Sequence, residues 1–237
     1  MRNHLAAALA AFVLLAACDA DANDALSGYL TADNYFFAYI STRPSTLGTL
    51  IGSGTNWGST YALTPTTLTP GTTYYLNIEA INGDSGNYSA GGVLGDFQLT
   101  GGAYFSNGTQ QLLTGASGWV GDYNDSNNGI AQQPWVAPTG AVASEGANGI
   151  APWGTFGAIA SAADWIWPTD SQSSDGTPTP GNQCAACAVD FQTEIFTSPV
   201  PEPCTLAVML TGVAALGGVR RIKAFKTRSA ANATNLA

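Results

Sequence analysis

The chain has 237 residues, 28 of them Gly, and 16 acids against 7 Lys and Arg, for a formal net charge of −9. Between Asn23 and Pro199 the imbalance is sharper: Arg43 stands against thirteen acids, an excess of twelve negative charges. That excludes nucleic acid, whose binding rests on Lys and Arg neutralising phosphates. It equally excludes anionic lipid surfaces and strongly anionic ligands unless a metal bridges them. The same stretch holds no His and no Lys, because His4, Lys223 and Lys226 lie in the flanks; Ser-His-Asp, Cys-His and Lys-based mechanisms fall with them.

Residues 1–22 have the layout of a secretory signal peptide. Arg2 precedes an apolar run from Leu5 to Ala17, and Ala20-Asp21-Ala22 forms an A-x-A cleavage site with Asn23 as the new first residue. Leu15-Ala16-Ala17-Cys18 also resembles a lipobox. That resemblance implies the alternative of a lipoprotein beginning at a lipidated Cys18.

Residues 23–199 form the expected exported domain, long enough for one hydrophobic core. Gly, Thr, Ser, Asn and aromatics abound and Leu, Lys and Glu are scarce, which favours short strands joined by turns. Tyr35 to Ser41 reads as a strand. Thr73 to Ala80 alternates so that Tyr74, Leu76, Ile78 and Ala80 share one face. Thr69-Pro70-Gly71 before it is a turn, with Gly71 free to take a positive φ. Val93 to Leu99, Tyr104-Phe105, Gln110 to Leu113, Ile150 to Ile159, Asp164 to Trp167 and Ala188 to Phe196 are further expected strands. The predicted fold class is all-β, an antiparallel sandwich.

Gly121 to Gly129 is the densest cluster of oxygen ligands. Asp122, Asn124, Asp125 and Asn127 are candidate calcium ligands, with an Asx-rich turn as the plain alternative. All six Trp fall within the domain. Trp165 and Trp167 are expected to point the same way on an alternating strand, towards the core. Trp119 and Trp135, in Gly-rich sequence beside Asp122 and Asn124, are the candidate sugar contacts: a ring face stacks on a pyranose while acid and amide groups bond its hydroxyls. No enzymatic activity is expected. The one mechanism left open is a carboxylate pair of the glycosidase kind, with no motif to mark its members.

Several phrases of the domain resemble the galactose-binding-like jelly roll. They are Thr31-Ala32-Asp33-Asn34-Tyr35-Phe36-Phe37-Ala38-Tyr39, Thr69-Pro70-Gly71-Thr72, Tyr75 to Asn82, Gly91-Gly92-Val93-Leu94-Gly95 and Ala163-Asp164-Trp165-Ile166-Trp167. The resemblance implies a jelly-roll-like sandwich with carbohydrate-binding capacity. The Trp-Ile-Trp phrase here follows the Ala-Asp-Asn phrase instead of preceding it.

Cys184-Ala-Ala-Cys187 is the only Cys pair of the domain. Without His or a second pair it does not make a four-ligand zinc site. A small local disulfide is expected, with a redox motif or free thiols as alternatives. Ser171 to Gln183 reads as a polar loop, and Thr197 to Pro203 as a stiff linker.

Beyond it, Val200-Pro201-Glu202-Pro203 is followed by an uncharged run, Thr205 to Val219, and by Arg220 and Arg221. Fifteen residues are short of the roughly twenty of a full membrane span, but flanking Arg and Lys snorkel. The basic cluster predicts a cytoplasmic tail, 229–237. In this order the parts resemble the PEP-CTERM sorting signal of Gram-negative bacteria, over 200–228. The resemblance implies an exosortase-type membrane transpeptidase as partner, transient anchoring in the inner membrane, and delivery to the cell surface or an extracellular polysaccharide matrix. An alternative is a purely structural, self-assembling or membrane-anchored surface protein.

Overall fold

A computed structural model of the chain describes residues 23–83, 90–124, 135–169 and 187–199. The signal region, Cys18, Asp125, Asn127, Cys184, the sorting motif Val200, Pro201, Glu202, Pro203, Arg220, Arg221 and the span 205–219 lie outside the described residues. The described residues form two antiparallel sheets and contain no helix.

The first sheet contains β1 (Ala25–Asp33), β4 (Tyr61–Ala62), β5 (Thr66–Thr67), β7 (Gly92–Thr100), β9 (Gln111–Leu113), β11 (Val142–Ala147) and β12 (Asp164–Pro168), in the order β11-β12-β7-β1-β4. In addition β5 pairs with β1 and β9 with β7. The second sheet contains β2 (Tyr35–Ser41), β3 (Thr49–Gly54), β6 (Thr73–Asn82), β8 (Tyr104–Phe105), β10 (Val120–Asn124) and β13 (Cys187–Phe196), in the order β10-β13-β6-β2-β3, with β8 also on β13.

Alternation sends one residue set from each sheet into a shared core. Leu26, Leu30, Val93 and Phe97 of the first sheet meet Phe36, Leu76, Ile78 and Phe191 of the second. The face expected on Thr73–Ala80 is seen: Leu76, Ile78 and Ala80 are fully buried and Tyr74 packs against them. β6 pairs with β13 over ten positions, from Cys187↔Asn82 to Phe196↔Thr73. Gly71 takes a φ of 73° in the turn before β6, a conformation open to Gly without steric cost.

Three expectations are corrected. Ile150 to Ile159 is a run of turns and not a strand. Pro152 lacks an amide donor, and Gly154, at φ 76°, turns the chain. Its Trp153, Phe156 and Ile159 instead cap the outer face of the first sheet, in a second cluster with Leu94 and Trp165. Asp122 and Asn124, expected in an Asx-rich loop, stand on strand β10. Trp165 and Trp167 are both buried, but in different clusters: Trp165 stacks on Trp153 at 4.4 Å, and Trp167 meets Phe191 edge-on at 6.2 Å in the main core. β12 pairs with β7 at the single position Ile166↔Val93.

Both ends of the domain meet. Asp24 is buried and accepts from Ser198 N at 2.6 Å, Ser198 Oγ at 2.8 Å and Gly102 N at 2.8 Å. Burial alone would raise its carboxyl, but these bonds outweigh it and hold the group below its usual value.

Candidate functional site

The residues expected to contact ligand on the second sheet are mostly engaged within the protein. Trp119 is 6% exposed; its indole N–H donates to Leu113 O at 3.1 Å and its ring lies 5.4 Å from Phe97. It belongs to the core, and the stacking role read from its Gly-rich surroundings is corrected. Only its edge borders a hollow of about 360 Å³ with Tyr75, Gln192 and Glu194. Trp135 is half-buried and donates its N–H to Pro44 O at 2.8 Å. Gln192 Nε2 reaches the same carbonyl at 3.0 Å, while Asn77 Nδ2 donates to Thr46 O and Leu47 O. These bonds draw the loop after β2 over the sheet.

Asp122 Oδ2 accepts from Thr139 N at 2.7 Å. Asn124 Nδ2 donates to Asp190 Oδ2 at 2.8 Å. Among the described residues no three acid, His or Cys side chains converge as metal ligands. Cys187, buried at the start of β13, is disulfide-bonded.

A different set of acids does meet on this face. Register places Asp122 opposite Asp190 and Asp190 opposite Glu79. Their side chains therefore lie in one row across β10, β13 and β6, on the face opposite Ile78, Val189 and Phe191. Burial, then the Glu79 charge and more weakly that of Asp122, push the Asp190 carboxyl up to about 8, against the Asn124 bond that lowers it. Burial also raises Glu79, against a bond from Tyr39. The alternation of Thr73–Ala80 already places Glu79 off the core face; its partner became visible only through strand pairing.

The open aromatic and polar surface lies on the other sheet. Core-facing Leu30 and Ala32 leave Tyr29 and Thr31 on the outer face of β1. Tyr29, 45% exposed, stands opposite Asp96 of β7 in the β1–β7 register. Gln98 Nε2 and Gln111 Nε2 each donate to Asp96 Oδ1 at 3.0 Å, and both glutamines are exposed. Trp57, 40% exposed, accepts from Thr31 Oγ1 at its carbonyl, 3.0 Å away. Thr31 is two residues from Tyr29 on the same face, a step of about 7 Å. One ring face, a carboxylate and two amides thus share a patch beside the Trp153 cap. Tyr29, Asp96, Gln98 and Gln111 were not singled out from sequence, because the pairing of β1 with β7 joins strands far apart in the chain.

Compared with known protein families, with curated proteins and with solved structures, the chain gives no match.

Proposed function

We propose that the protein is a non-enzymatic exported component of a bacterial surface or extracellular matrix, sorted by its PEP-CTERM-like tail, that associates with exopolysaccharide through weak carbohydrate binding. The observation that carries the binding is the Tyr29 patch. An exposed ring offers an apolar face to the C–H side of a sugar. Asp96 accepts from hydroxyls, and Gln98 and Gln111 both donate and accept. Exposed side chains on the face of a sheet suit many weak contacts along a polymer rather than tight capture of one small sugar.

The sandwich is also read as jelly-roll-like. Every connection between consecutive strands crosses from one sheet to the other except β2 to β3, β4 to β5 and β11 to β12, which supports that topology over simple hairpin stacking.

The test is retention on a panel of immobilised neutral and acidic polysaccharides. Wild type is expected to be retarded on at least one neutral glycan, with Tyr29→Ala losing about ten-fold in affinity at unchanged melting temperature. Absence of retardation on every glycan would leave the purely structural alternative.

A further inference from the structure

We infer that Glu79 and Asp190 together hold a hard divalent cation of the calcium type on the outer face of the second sheet. The two side chains are directly opposed on neighbouring strands, a placement that destabilises like charges. Each residue is 5% exposed. Glu79 Oε2 and Asp190 Oδ1 are both buried and have no hydrogen-bond partner. The opposite oxygens are already held, Asp190 Oδ2 by Asn124 at 2.8 Å and the Glu79 carboxyl by Tyr39. Each carboxyl is thus fixed in orientation with one acceptor left over. An orphaned buried acceptor is costly, and a pair of them in one place more so.

Among the described residues no positive charge fills the gap: they hold no Lys, and Arg43, their one Arg, is exposed. The groups around the pair are Asn77, Gln192, Asn124 and Phe37, all neutral, and Asp122, a further acid engaged with Thr139. Compensation therefore comes from solution. The burial of both carboxyls leaves no space for a sugar or peptide, but a bare ion needs only ligand distances of about 2.3–2.6 Å. Hard carboxylate oxygens select a hard cation, with water and neighbouring amide oxygens completing its shell. This site differs from the Asp122, Asn124, Asp125 and Asn127 set read from sequence, and it is independent of the carbohydrate reading.

The test uses the full-length protein, stripped with chelator and titrated with Ca²⁺ at constant ionic strength. Melting temperature and Tb³⁺ luminescence sensitised through aromatic residues are followed together. Saturating Ca²⁺ is expected to raise the melting temperature by about 3 °C or more, and Tb³⁺ to luminesce and be displaced by Ca²⁺. Glu79→Gln and Asp190→Asn, which keep side-chain shape, should each abolish both signals, whereas Asp125→Asn should leave them intact. The inference is overturned if wild type shows neither signal, if both carboxamide variants respond like wild type, or if Asp125→Asn removes the response. The wild-type and Asp125→Asn titrations decide the matter even where a variant at the pair does not fold.

Discussion

Asp24 and Asp190 are two buried aspartates with opposite fates. Asp24 is surrounded by donors from Ser198 and Gly102, so its charged form is favoured. Its contribution to stability is present above the ordinary value of 3.8 and is lost as pH falls through the lowered folded value. Asp24→Ala removes these bonds and orphans the Ser198 amide, at an expected cost of about 2 kcal/mol in chemical denaturation at pH 7. Asp190 behaves in the reverse sense. Its carboxyl titrates near 3.8 when unfolded and at about 8 in the fold, so the folded state keeps a proton that the unfolded chain has released. Stability is then full below about pH 4 and is lost as pH rises through about 8. In cation-free buffer the wild-type melting temperature is expected to decline across that window, and Asp190→Asn to flatten the decline. A wild-type profile flat from pH 5 to 8 would refute the shift.

At the scale of elements, the turn segment around Trp153 shows how an apolar run makes a layer without making a strand. Trp153 stacks on Trp165 at 4.4 Å and donates its N–H to Asp33 Oδ2 at 2.8 Å. It thus ties the cap to the end of β1. Trp153→Ala is expected to destabilise the domain by about 3–5 kcal/mol, since it opens a cavity over Trp165 and removes the buried bond to Asp33. Trp153→Phe should recover the packing but not the bond, leaving a smaller loss. Equilibrium urea unfolding of the three proteins separates the two contributions. The strands that sequence pattern located best, β2, β6, β7 and β13, are those with mostly apolar residues at alternate positions on the core face. Among those not expected, β10 is mostly Gly, Asp and Asn, and β11 is mostly small or polar residues. Their conformation is imposed by pairing with β13 and β12 and not by propensity.

For the whole molecule, the meeting of Asp24 with Ser198 brings the domain's two ends within hydrogen-bond reach. A domain with adjacent ends tolerates rejoining them and opening elsewhere. A circular permutant that joins 199 to 23 through a short Gly/Ser linker and opens at Gly108, an exposed turn residue with φ 81°, is expected to fold with the wild-type near-ultraviolet circular dichroism. Loss of that spectrum would show that chain order, and not only end proximity, is needed.

By itself the sequence determined the class of this protein. Scarce Lys, absent His in the domain, Gly-rich turns and period-two apolar runs are local properties, and they suffice for an all-β domain without the common nucleophilic triads. What only the tertiary structure decided is which side chains share a place. Asp190 meets Glu79 from 111 positions further along the chain, and Tyr29 meets Asp96, to which Gln98 and Gln111 bond, from a strand far away in sequence. Strand pairing across long loops follows from the packing of whole sheets, and no short stretch of residues encodes it. The same holds for Trp119, whose neighbours in sequence suggest a loop at the surface and whose neighbour in space is Phe97.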